Sequence, residues 1–185
     1  MRKNSDVKWL SGCLNDMMVS FVSFNNGKNM RLVKLLILGL FSLPTWASDF
    51  VSFPDNKPQT LSNQNTVQVI SFWATYCLPC RQEMPEMSRW YQKTGKKQKV
   101  QMVGIAIDNE QNVRKFLKQT PVHYPIWLYT GKDSRSMMKT FGNKIGALPY
   151  TVVRLPKCHK EQALLGKVDE TLLNQTITQL KKSCQ

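Results

Sequence analysis

The sequence predicts an α/β domain. Two dense β-prone runs, stretches of helical apolar spacing that alternate with shorter strand-like runs, and a C-terminal hairpin followed by a capped helix carry that prediction. Residues 50–65 are polar, hold Pro54 and Pro58, and read as an extended lead-in. Residues 67–73 form an apolar run suited to a central strand, and residues 78–94 then place Met84, Met87, Trp90 and Tyr91 at helical spacing. Residues 100–107 make a second buried strand. A short helix over 109–119 turns Val113, Phe116 and Leu117 inward, and residues 125–129 form a short strand. A helical segment ends near Phe141 and Gly142. Residues 150–155 and 161–168 read as a hairpin around Pro156, and Asp169 caps a last helix carrying Leu172, Leu173, Ile177 and Leu180.

The 185 residues suit one domain of ordinary size, and 42% hydrophobic residues with eight Phe and five Trp exclude intrinsic disorder. The longest apolar stretch, residues 35–47, is too short for a comfortable transmembrane helix. Arg31 and Lys34 precede it, Pro44 interrupts it, and Ala47 offers a cleavage junction before Ser48. The segment 30–47 therefore reads as a secretory signal peptide, with synthesis starting at Met30 and residues 1–29 lying upstream as a leader. The alternative is an uncleaved signal that anchors the protein in the membrane. Leu10-Ser11-Gly12-Cys13 resembles a lipoprotein box but lacks a preceding apolar run. After cleavage, 48–65 is the lead-in and 66–185 the folded domain.

The formal charge is +14 over the whole chain, and residues 48–185 keep 20 Lys and Arg against 10 Asp and Glu. These charges are dispersed and accompany no nucleic-acid motif, so they read as a solvated basic surface with no nucleic-acid partner.

Four cysteines remain in the exported part: Cys77, Cys80, Cys158 and Cys184. Export makes Cys77-Leu78-Pro79-Cys80 a redox pair before half a zinc site, because disulfides form in that compartment and the remaining Cys and His lack metal-ligand spacing. No metal or cofactor is expected. A strand that runs directly into the pair and then into a helix puts Cys77 at the helix N-terminus, where unpaired N–H groups and the helix dipole favour a thiolate. Cys77 is thus the expected nucleophile. Cys80, one turn further in, is placed to resolve a mixed disulfide, and Pro79 fits a first turn that needs no N–H from it.

The segment 72–85, Phe-Trp-Ala-Thr-Tyr-Cys-Leu-Pro-Cys-Arg-Gln-Glu-Met-Pro, resembles the active-site segment of thioredoxin-fold proteins, and of the exported TlpA/ResA-like thiol-disulfide oxidoreductases in particular. Residues 103–108 and 141–153 resemble that family's second core strand and its cis-proline segment, and Pro85 falls at its usual helix kink. The resemblance runs in order over about residues 66–170. It implies a thioredoxin-like fold with a central mixed β-sheet flanked by helices, and a cis bond at Leu148-Pro149 opposite the cysteines. Trp73, Tyr76, Leu148 and Pro149 would then bind an extended substrate segment by strand addition. Glu83 corresponds to the glutamate that tunes the pair's protonation and relays a proton; the alternative is an ordinary solvated helix glutamate. General thioredoxins use a buried Asp with a Lys partner, and the matching positions here are Ser71 and Gly104, which favours the exported branch.

If the last helix runs back along the hairpin, Cys184 returns to the turn that holds Cys158. A structural disulfide there would close a 26-residue loop worth roughly 3 kcal/mol; two thiols or a second redox relay are the alternatives. His159 reads as a turn residue.

Three functions follow. The resemblance implies an exported monomeric reductant of protein disulfides, for example in cytochrome c maturation, recharged by a membrane-embedded thiol donor. A general oxidant or isomerase is the second. It is disfavoured by the absence of a His between the cysteines. The third is a copper carrier, for which His123 is the weak candidate ligand.

Overall fold

The computed structural model describes residues 48–184. The expected signal peptide and leader lie outside the described residues. Ten regular elements make one mixed sheet and four helices: β1 (Phe50–Phe53), β2 (Gln68–Trp73), α1 (Leu78–Trp90), β3 (Gln101–Ala106), α2 (Glu110–Gln119), β4 (Ile126–Tyr129), α3 (Ser134–Thr140), β5 (Tyr150–Leu155), β6 (Lys160–Leu165) and α4 (Glu170–Lys182). A π-helical turn, Tyr91–Gly95, continues α1, and a 3-10 turn, Pro156–Cys158, links β5 to β6.

Sheet order is β1-β4-β3-β2-β5-β6. The pairs β2–β3 and β3–β4 are parallel, and β1–β4, β2–β5 and β5–β6 are antiparallel. β2 is apolar along both faces because it is central and covered on both sides, and all six of its residues are buried. Trp73 and Val69 face a layer with Met84, Met87 and Trp90 of α1 and Leu173 and Ile177 of α4. Ile70 and Phe72 face the opposite layer with Met138 of α3 and Phe141.

The helices start where the sequence offers caps. Asn109 accepts from Asn112 N, Asp133 from Ser136 N and Asp169 from Leu172 N, each satisfying a first-turn N–H. Gly142, at φ +84°, takes the left-handed position just past α3 that a side chain would resist. His159 takes the left-handed position in the β5–β6 turn.

The lead-in differs from expectation. Residues 48–65 do more than lead in: Phe50–Phe53 joins the sheet, pairing antiparallel with β4 as its edge strand. Four residues are too few for periodicity to show, and the partner lies more than 70 residues away. The second hairpin strand ends at Leu165, short of residue 168, because Gly166 N donates to Pro149 O and turns the chain toward α4.

Candidate redox site

The site forms where β2 ends and α1 begins. Cys77 is the N-cap of α1, in extended conformation, and its Sγ accepts from Cys80 N at 3.3 Å. The sulfur therefore sits against the orphan donors of a helix start, the environment that stabilises a thiolate. Cys77 and Cys80 are paired as a disulfide with Cα atoms 5.3 Å apart. Cys80 is fully enclosed, whereas Cys77 keeps 8% exposure, so the outer sulfur is the one a partner reaches.

The strand-to-helix turn is held from the side by Asp108. Its Oδ2 accepts from Thr75 N at 3.1 Å and from the Thr75 hydroxyl, and its Oδ1 accepts from Asn109 N and Asn112 Nδ2. Burial raises this carboxyl, but the hydrogen bonds from Thr75, Asn112 and Asn109 outweigh it and hold it below its usual range. No local pattern signals this brace, because Thr75 and Asp108 are 33 positions apart.

Across the site runs the loop before β5. The register Phe72↔Tyr150 in the antiparallel β2–β5 pair sets Leu148–Pro149 alongside the chain that leaves β2 at Trp73. The Leu148–Pro149 peptide is cis. Buried Asn143 supports the loop: its Nδ2 donates to Ala147 O, and its Oδ1 accepts from Gly146 N and Ala147 N. Of the four large hydrophobic residues exposed in the described part, Tyr76 and Leu78 flank Cys77, and Ile145 sits in this loop. Trp73, by contrast, is wholly buried, with its ring against Phe116. It can support a substrate surface from beneath but does not form it.

Glu83 is fully buried, one turn beyond Cys80 on α1. Its Oε2 accepts from Val168 N at 2.9 Å. Burial pushes the carboxyl up to about 7, against the pull of that N–H and of Lys167. It is not solvated, and a carboxyl poised near neutrality beside a thiol pair can exchange protons with it.

Cys158 and Cys184 stand with Cα atoms 5.7 Å apart, within the span of a disulfide, at the hairpin turn and the end of α4. Their place is remote from the first pair in the fold. His123 donates its backbone N–H to Ser88 Oγ at 2.9 Å. Among the described residues no group of three or more His, Cys, Asp or Glu is placed to hold a metal ion, and no helix is long and apolar enough to cross a membrane.

Comparison with known proteins agrees with this geometry. The Redoxin family profile matches residues 45–158. The chain belongs to the redoxin family. Among similar proteins, the thioredoxin-like protein YneN of Bacillus subtilis is 31% identical over 126 residues, 64% of this chain and 70% of that protein. The thiol-disulfide oxidoreductase ResA of Bacillus subtilis is 26% identical over 113 residues, and the match spans only 60% of either chain. The crystal structure of a thioredoxin-related protein from Neisseria meningitidis serogroup B is 49% identical with a TM-score of 0.68, covering 72% of this chain and 98% of that one. This redoxin is a TlpA/ResA-like, thioredoxin-fold thiol-disulfide oxidoreductase carrying a Cys77–Cys80 pair.

Proposed function

We propose that this redoxin works outside the cytoplasm as a monomeric dithiol reductant of particular protein disulfides, such as that of an apocytochrome c awaiting haem. Cys77, as thiolate, attacks one sulfur of the substrate disulfide; that bond breaks, and the leaving sulfur takes a proton. Cys80 then attacks Cys77 Sγ, breaking the mixed disulfide and releasing the second substrate sulfur. Two electrons pass to the substrate, and the protein is left with the Cys77–Cys80 bond. A membrane-embedded thiol donor restores the dithiol. Tyr76, Leu148 and Pro149 hold the substrate segment in extended form beside the pair, with Trp73 beneath. Glu83 supplies and collects the protons.

The buried Glu83 carboxyl on the cysteine helix carries the reductant direction. A carboxylate enclosed near the pair disfavours thiolates, keeps the reduced form less stabilised than in strong oxidants, and so makes the dithiol the better electron donor. Leu78 and Pro79 between the cysteines add no cation to oppose it. The deciding measurement is the reduction potential against a glutathione series. A value below about −200 mV is expected, and one near −120 mV would make the protein an oxidant.

A further inference from the structure

The buried polar atoms that lack a partner among the described residues are Thr66 Oγ1, Ser71 Oγ, Trp73 Nε1, Glu83 Oε1, Tyr124 Oη and Thr151 Oγ1. Most of them gather between α1 and the sheet. Ser71 and Trp73 lie two apart on β2 and so share the face that packs on α1, and Thr151 is directly opposite Ser71 on β5. Tyr124 packs in that same layer with Met84 and Met87 of α1. Enclosed polar atoms of this kind destabilise the fold unless they serve one another or an enclosed water.

Tyr124 lies between α1 and the sheet. The backbone just before it is tied to α1 by the His123 N–H to Ser88 Oγ bond, and its ring meets Tyr91 edge-on, centroids 6.4 Å apart. A Cβ on Gly104 would lie 2.9 Å from Tyr124 Cε2 and 3.2 Å from Trp73 Nε1, so the phenol ring and the indole N–H converge over this glycine. Ser88 follows Glu83 by five residues, roughly 7.5 Å of helix rise, a distance a tyrosine side chain can span. Burial raises the Tyr124 hydroxyl above its usual range, and the Glu83 charge raises it further, so the two groups act on each other.

We propose that Tyr124 is a positioning residue for Glu83: its hydroxyl, which has no other partner, serves Oε1 through one enclosed water shared with the Trp73 N–H, and so governs how readily Glu83 gives and takes its proton. This rests on the assignment of Glu83 as the proton relay of the cysteine pair. The other groups that face Glu83 are Lys167 and the Val168 N–H from the turn before α4, and Cys80 and Glu86 on α1, with Glu86 itself paired to Lys167 at 3.3 Å. None of them serves Oε1. A donor to the charged carboxylate stabilises it, so removing the hydroxyl raises the pH at which Glu83 ionises.

The test is a carboxyl-carbon NMR titration of the oxidised protein, with the Glu83 resonance assigned by its loss in Glu83→Gln. Tyr124→Phe keeps the ring and should move the Glu83 midpoint upward by about one pH unit, a tenfold change in proton affinity. The Glu83-dependent limb of the pH–rate profile for disulfide exchange should move by the same amount, and Tyr124→Phe should have no effect in the Glu83→Gln background. An unchanged Glu83 midpoint in folded Tyr124→Phe protein would overturn the inference. A shifted midpoint with a pH–rate profile insensitive to Glu83→Gln would uphold the Tyr124 contact and overturn the relay assignment beneath it.

Discussion

Glu83 on α1 accepts a 2.9 Å hydrogen bond from the backbone N–H of Val168, a residue 85 positions away in the turn before α4. With the Trp90 Nε1 to Asn174 Oδ1 bond and the Lys167–Glu86 pair, it joins the cysteine helix to the C-terminal segment, and the glutamate lies out of solvent. A surface helix residue thereby becomes a buried acid one turn from the redox pair.

The burial has a pH signature in stability. Since the folded-state value lies near 7, above the ordinary 4.5, the stabilisation tied to the protonated carboxyl is complete below about pH 4.5 and is lost as pH rises through 7. The loss is about 3 kcal/mol at most. Denaturant unfolding of the oxidised protein, in which the Cys77–Cys80 pair does not titrate, measures it. Glu83→Gln should remove this part of the decline between pH 4.5 and 8; parallel curves for the two proteins would show that Glu83 ionises as an ordinary acid.

The unequal exposure of the two cysteines predicts unequal trapping. Cys80→Ser should accumulate a mixed disulfide between Cys77 and substrate, because nothing then resolves it, while Cys77→Ser should accumulate almost none. Non-reducing electrophoresis with mass spectrometry reads the result. Equal adduct from both variants would remove the assignment of attacking and resolving roles.

Cys158 and Cys184 are placed to pin the end of α4 to the hairpin turn. Replacing both with Ala should lower stability by roughly 2–4 kcal/mol and leave most reductase activity in place. Peptide mapping without reductant, on protein recovered from an oxidising compartment, should find the two linked. Alkylated thiols at both positions would defeat the idea.

Legibility from sequence followed the range of the interactions. The order of strands and helices from β2 onward, the cap at Asp169, and Cys77 at a helix start are readable, since each depends on residues a few positions apart. Glu83 was readable only through resemblance to a family, because helix spacing puts it on the face of Cys80 but does not bury it. Trp73 illustrates the opposite error. The family resemblance implied it as a substrate-binding residue, yet strand alternation turns it fully into the core.

By itself the sequence determined an α/β chain with a redox pair at a strand–helix junction, because hydrophobic period, capping chemistry and the Cys-x-x-Cys spacing act within one or two turns of chain. Only the tertiary structure decided that Phe50–Phe53 closes the sheet edge, that Val168 holds Glu83, and that Tyr124 lies under the same helix. Each of these joins segments dozens of residues apart. Such pairings are settled by the sheet order and by the burial of whole faces, which no local pattern encodes.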